Sequence, residues 1–339
     1  MGTLEPIVYW AFGLQIRSNC EFPGPQRIAG DSTADVCVVW GEQPPWLASE
    51  TTALLEPYYT SPQCDERGAA TLRVWGMRDG AYHRLLYADG TEFIVDRSGT
   101  EVWATWLPEL TLEDTATYFL GPILGLVMRF RGTVCLHASA VTVEGKAVAL
   151  LGSAGAGKST TAAAFAQLGF PIFSDDVLPL FENCGEVFVR PAYPHLRLWP
   201  DSVNSLFGSA EALPRLTPTW DKRYYDLLKN GDRFQSEPRP LAAIYILGER
   251  LQEAAAPFVE SISARDGLMT LVAETYVNYL LDKEMRAREF ELLSRVVRRI
   301  PLRRVRPHSD PATINRLCGV ILDDFRGLIS AAAQHGKAG

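Results

Sequence analysis

Gly152-Ser153-Ala154-Gly155-Ala156-Gly157-Lys158-Ser159 is the stretch on which the reading of this chain turns. It fits GxxxxGK[ST], the pattern of a loop that wraps phosphate groups. It follows an apolar run, KAVALLG from Lys146 to Gly152, and opens an alanine-rich segment from Lys158 to Leu168 with the character of a helix. The pattern needs glycine because the backbone must turn tightly and aim N–H groups at phosphate oxygens, which side chains would obstruct. Gly152, Gly155 and Gly157 meet that need, with Ser153 and Ala156 between them. Lys158 brings a positive charge to β- and γ-phosphates, the helix N-terminus adds its partial charge, and the Ser159 hydroxyl can reach Mg²⁺. Thr160 completes the expected nucleotide-contacting set. ATP and Mg²⁺ are the cofactors this pattern predicts.

Downstream, Ser174-Asp175-Asp176-Val177 follows the next predicted strand, 171–173, at the distance where an acidic pair would face the loop. One carboxylate can order Mg²⁺ or its water while the other takes a proton from an attacking hydroxyl. Upstream, His137 lies in CLHASAVTV, read as one strand that turns at Glu144-Gly145. Strand, hairpin, strand, loop, helix, strand and acidic pair form the opening of an α/β nucleotide-binding core.

Farther out the pattern changes. Residues 1–112 read as a β-rich domain of short apolar runs broken by Gly, Pro and Asp, with an Asp-Gly hairpin signal at Asp89-Gly90. Residues 113–131 read as a mostly buried connecting helix despite Gly121-Pro122, and 132–335 as the catalytic domain. Within the latter, 241–248 suits a buried strand, and 267–297 a long amphipathic helical pattern broken near Asp282. The length of 339 residues is too great for one small core, and 47% hydrophobic with 22% charged residues is globular composition. A net charge of -7 weighs against wholesale binding to nucleic acid or anionic membrane. Six cysteines without a CxxC pair suggest reduced, structural thiols and no zinc site. No apolar run reaches membrane-spanning length, no basic-then-apolar leader opens the chain, and Glu5 and Pro6 argue against an acylation signal, so the chain reads as cytoplasmic.

His137, the phosphate loop and the Asp-Asp pair, in that order and at short spacing, resemble the catalytic core of the HPr serine kinase/phosphorylase family, related in fold to phosphoenolpyruvate carboxykinases. The resemblance covers about residues 132–250. It implies an α/β P-loop kinase core of that type behind a smaller β-rich N-terminal domain. It further implies that His137 lies near the transferred phosphate, Lys158 and Ser159 bind in the loop, and Asp175 and Asp176 are the base and metal-side carboxylates. In that assignment Asp175 accepts the proton, while Asp176 and Ser159 hold the metal. Thr160 stands where HPr kinases carry glutamate, and their glycine-rich signature after the aspartates is missing, which turns attention from HPr to another acceptor. In its place stand RPAYPHLRLWPD (190–201) and WDKRY (220–224). These segments resemble the HPr-kinase-like enzymes of ribosomal peptide biosynthesis, notably the lasso peptide precursor kinases, which modify a C-terminal serine.

Arg197, Lys222 and Arg223 are candidates to neutralise the γ-phosphoryl group. Tyr193, Trp199 and Trp220 suit core or substrate platform equally. The arginines between Arg286 and Arg306 read as a solvated face, and Asp323-Asp324 as surface. The sequence thus predicts a kinase that moves the γ-phosphoryl of ATP to a serine hydroxyl of a precursor peptide, with no nucleic-acid or membrane partner and with room for a homo-oligomer. Rival readings are an HPr-type protein kinase, a kinase of a small hydroxyl compound, and an ATP-switched binding or assembly module without an acceptor.

Overall fold

The computed structural model describes residues 7–29, 34–49, 56–229, 231 and 233–335; Glu5 and Pro6 lie outside them. It is a mixed α/β structure with several sheets, and its contacts divide it into two units. The first runs to Thr133 and takes in Thr217–Trp220 and Tyr279–Asp282; the second holds the remainder.

The first unit is built on β1 (Ile7–Ala11), β2 (Leu14–Ser18), β3 (Gln26–Arg27), β4 (Val36–Trp40), β5 (Tyr59–Thr60), β6 (Leu72–Met77), β7 (Tyr82–Tyr87), β8 (Glu92–Asp96) and β9 (Glu101–Thr105). They form one sheet in the order β3-β1-β2-β4-β9-β8-β7-β6-β5. The Asp-Gly signal sits in the β7–β8 turn, where Gly90 N–H closes on the Tyr87 carbonyl at 3.0 Å. The sheet is not wholly antiparallel, because β4 runs parallel to both β2 and β9. The helical segment belongs to this unit as α1 (Leu112–Tyr118) and α2 (Leu124–Phe130), joined by a π turn over Phe119–Ile123. Thr111 and Asp114 form a reciprocal capping box at its start. The π turn contains Pro122, whose missing N–H and ring bar a regular α turn there.

The second unit contains β10 (Val134–Leu136), β11 (Ala138–Val143), β12 (Lys146–Leu151), α3 (Lys158–Gln167), β13 (Ile172–Ser174), β14 (Leu178–Asn183), β15 (Glu186–Val189), β16 (His195–Leu198), α4 (Pro200–Phe207), β17 (Arg223–Asp226), β18 (Arg239–Leu247), β19 (Phe258–Ser261), α5 (Ala264–Ala273), α6 (Lys283–Arg299), β20 (Leu302–Arg306) and α7 (Ile314–His335). Its large sheet runs β10-β14-β15-β18-β12-β11-β13, with β20 also paired to β18 and β19 to β20. Strand periodicity divides the interior. Val148 and Leu150 of β12 pack with α3 and α7 on one face, through Phe165, Ile321 and Phe325. Ala147, Ala149 and Leu151 pack on the other with Leu271 of α5 and Leu293 of α6.

Strand direction positions the site. β12, β18 and β20 are mutually parallel in that order, and β13, two antiparallel steps from β12, runs the same way. All four therefore end at one edge, the edge of an α/β sheet where loops bind ligands. CLHASAVTV is not one strand. It breaks at His137, whose N–H donates to the Glu274 carbonyl at 2.8 Å, so β10 pairs with β14 while β11 pairs with β12 and β13.

Candidate active site

Gly152 leaves β12 with φ of 148°, and a Cβ there would lie 2.8 Å from the Leu247 carbonyl oxygen, so glycine alone fits between the two strand ends. The loop ends at Gly157, whose left-handed φ of 102° starts α3 with no side chain capping it. Uncapped first-turn N–H groups and the helix dipole leave that end suited to an anion. Lys158 is buried and folds back over the loop, its Nζ donating to the carbonyls of Gly152 (2.6 Å) and Ser153 (3.2 Å). Burial lowers its pKa, opposed by the carboxylates of Glu274, Asp176 and Asp175.

The neighbouring aspartates face different surroundings. Asp175, 7% exposed, accepts from Ser139 Oγ (2.7 Å) and Ser159 Oγ (2.8 Å) through Oδ1 and from the Arg197 N–H (3.2 Å) through Oδ2. Asp176 stands at φ of 73°, a conformation that costs a non-glycine residue of order 1 kcal/mol or more and is held only by surrounding structure. Its 35% exposed side chain takes His137 Nε2 at 3.2 Å on Oδ1 and the Tyr276 hydroxyl at 2.9 Å on Oδ2. Burial alone would raise the Asp176 carboxyl. The His137 hydrogen bond and charge, with Arg197 and Lys222, outweigh that and hold it well below the usual carboxylate range. The 274–276 segment is zipped to the broken strand, Tyr276 N–H donating to the Cys135 carbonyl at 2.8 Å, so one local pairing presents both His137 and Tyr276 to Asp176.

The segments 190–201 and 220–224 meet as an antiparallel ribbon, with Arg197 opposite Tyr224 and Leu198 opposite Arg223. The ribbon brings Arg197, whose Nη2 donates to the Tyr193 hydroxyl at 2.7 Å, and Lys222, whose Nζ sits 5.0 Å over the exposed Trp199 ring, to act on Asp176. Arg223 is not brought there. Its side chain, 2% exposed, pairs with Glu211 at 2.7 Å and Asp221 at 3.2 Å and is held away from the phosphate loop's ligands. Thr160 bonds Ser202 of α4 at 2.8 Å. Trp220 groups with the first unit, 5.2 Å from the Tyr118 ring, and Tyr193 is buried.

Several basic residues of the 286–306 stretch are engaged rather than free on a face: Arg295 with Glu182 at 2.9 Å, Arg303 with Asp324 at 2.5 Å, and Arg306 with Glu260 at 2.9 Å. Asp324 is consequently not surface. Its side chain is 16% exposed and also accepts from the Tyr245 hydroxyl at 2.8 Å, whereas Asp323 is 83% exposed.

Ser159 Oγ and Asp175 Oδ1 are hard oxygens close together at the helix start, a donor set that suits Mg²⁺, which commonly binds through one or two carboxylates and completes its shell with phosphates and water. The sequence reading missed Ser139, Glu274 and Tyr276. Ser139 carries a period-2 signal, being polar in an otherwise apolar strand, but the other two lie far along the chain outside any motif.

No protein-family model matches this sequence, and no curated protein matches it. Among solved structures the chain is similar to the Hpr(Ser) kinase/phosphatase from Coxiella burnetii, at 13% identity over 59% of this chain and 98% of that one, with a TM-score of 0.33. At that TM-score the likeness adds no weight, and the functional reading rests on this chain's own residues. Among the described residues no helix is long and apolar enough to cross a membrane.

Proposed function

We propose that this protein is an ATP- and Mg²⁺-dependent kinase that transfers the γ-phosphoryl group to a serine hydroxyl, with the C-terminal serine of a ribosomal, lasso-type precursor peptide as the acceptor. The observation that carries the reading is the Ser159–Asp175 hydrogen bond at 2.8 Å, which joins the glycine loop to an acidic pair whose second member is ionised and partly open. The ribbon supports the acceptor class, since the two segments that resemble precursor-peptide kinases pair at this point. The arrangement favours roles for the aspartates opposite to the sequence-based ones. Asp175, bound to the Ser159 hydroxyl, would hold Mg²⁺ with it, and the ion would supply charge neutralisation on the phosphates. Asp176, more exposed and clear of Ser159, takes the acceptor proton.

In the resulting mechanism Lys158 exchanges the loop carbonyls for phosphate oxygens, and the α3 N-terminus adds its N–H groups. Tyr276 and His137 orient Asp176 toward the acceptor hydroxyl. The serine oxygen forms a bond to the γ-phosphorus as the bond to the β–γ bridging oxygen breaks; the proton passes to Asp176 and ADP leaves. Arg197 and Lys222 offset charge on the transferring group, and positioning with electrostatics carries most of the rate. The test is incubation with Mg-ATP and a serine-terminated precursor peptide, beside HPr and free serine, followed by mass. Phosphate on the peptide alone is expected; ATP consumed with every acceptor unmodified would reject a kinase in favour of a switch.

A further inference from the structure

Four loops leave the carboxyl edge of the second unit's sheet in spatial order: the acidic pair after β13, the glycine loop after β12, Gly248–Arg250 after β18, and 307–313 after β20. The acidic pair is thus on one side of the glycine loop and the last two loops on the other. On that other side lies a cavity of about 600 Å³, within the range of small-ligand sites. It opens against the loop itself, at Ala156, Gly157 and Thr160, and its walls include Arg250, His308, Asp310 and, from α4, Asp201 and Ser205. Its walls are fixed, because strand pairing continues past the strand ends: Gly248 N–H donates to the Val305 carbonyl (2.9 Å), Leu251 N–H to Pro307 (2.8 Å) and Ser309 N–H to Leu251 (2.8 Å).

We infer that this cavity receives the nucleoside end of the triphosphate, an inference that rests on the phosphate-loop reading above. The direction follows from geometry. The end of the polyphosphate that reacts must lie by Asp175, Asp176 and Lys158, so the other end leaves the loop past Gly157 and Thr160, into the cavity. Arg250 stands at that exit, its guanidinium nitrogen 3.3 Å from where a Cβ on Gly157 would be, and supplies a cation where the phosphate chain meets the nucleoside. His308 Nδ1 accepts from the Asp310 N–H at 2.9 Å. That fixes the neutral ring as the Nε2–H tautomer, a donor for a ring nitrogen or hydroxyl. The carboxylates of Asp201 and Asp310 offer acceptors of the kind that take ribose hydroxyls.

The test compares Mg-ATP with Mg-tripolyphosphate, which has the phosphates and no nucleoside, by calorimetry on the full chain. The wild-type protein should bind both, ATP the more tightly. Ser205 is exposed on α4, so Ser205→Trp projects bulk into the cavity without disturbing the core. It should weaken ATP by about tenfold or more and leave tripolyphosphate as in the wild type. His308→Ala serves as a second variant and should likewise weaken ATP alone. If both variants bind ATP as tightly as the wild type, or if wild-type ATP and tripolyphosphate affinities are equal, the nucleoside does not lie in this cavity. Equal loss of both ligands in both variants would also overturn it. If the wild type binds neither ligand, the phosphate-loop reading falls first and this inference with it.

Discussion

In the first unit His83 lies on β7 opposite Val95, one residue from Asp96, and both belong to the same hairpin. In the second, His137 and Asp176 come from separate loops and touch. Both aspartates have depressed pKa values for opposite reasons. Asp96, 9% exposed, would be raised by burial, and hydrogen bonds from Ser98, the Glu101 and Thr100 N–H groups and the Thr100 hydroxyl reverse that, all from the turn it closes. Asp176 is held down by charged side chains from three distant segments while a third of its surface stays open. A low carboxylate pKa alone therefore does not distinguish a site from a turn; the origin and charge of the partners do.

The largest effect that would sharpen this contrast is expected at Asp176. Asp176→Asn should lower kcat by about 10²–10⁴ while Mg-ATP still binds, whereas Asp175→Asn should weaken Mg-dependent nucleotide binding. Single-turnover assays beside calorimetry separate the two, and full turnover in Asp176→Asn would return the base role to Asp175. The next concerns acid. Burial, then Arg97, lowers the His83 pKa to about 4, with Asp282 opposing and the Tyr58 hydroxyl bonded to Nδ1 at 2.9 Å. The unfolded chain takes up that proton near 6.5 and the native chain only near 4, so stability is full above pH 6.5 and falls as pH drops toward 4, by at most ~3 kcal/mol. Urea titrations of the wild type and His83→Gln at several pH values check this; identical pH slopes in both would remove His83 from the account.

Asp96→Asn should cost roughly 1–3 kcal/mol of stability through its lost charge-assisted hydrogen bonds and leave turnover per folded molecule unchanged. A catalytic defect there would break the distinction between turn and site. Smallest of all, Tyr276→Phe removes one donor to Asp176 and should lower kcat by up to about tenfold without altering KM for ATP or the melting temperature. A change confined to stability would reduce Tyr276 to a packing role.

What could be read from sequence follows chain distance. The glycine loop, α3 and the Asp175–Asp176 pair lie within one short strand–helix–strand passage, so their proximity was legible in spacing alone. The Asp89-Gly90 turn was legible for the same reason. Glu274 and Tyr276 reach the site only through backbone pairing with residues 135–137, which leaves no local trace. That pairing also breaks the strand at His137, where apolar alternation suggested continuity. Arg223 carried the charge expected of a phosphate ligand, but nearby Glu211 and Asp221 claim it. The parallel pairings of β4 were equally invisible, since short strands between turns favour the expectation of hairpins.

The ribbon of β16 and β17 forms a two-stranded sheet of its own, apart from both nine-stranded sheets. Its amides are therefore protected by four residue pairs rather than by a long ladder, and they exchange with solvent through local opening instead of global unfolding. Hydrogen–deuterium exchange at 195–198 and 223–226 becomes a reporter of acceptor engagement, readable without turnover and without knowing the acceptor in advance.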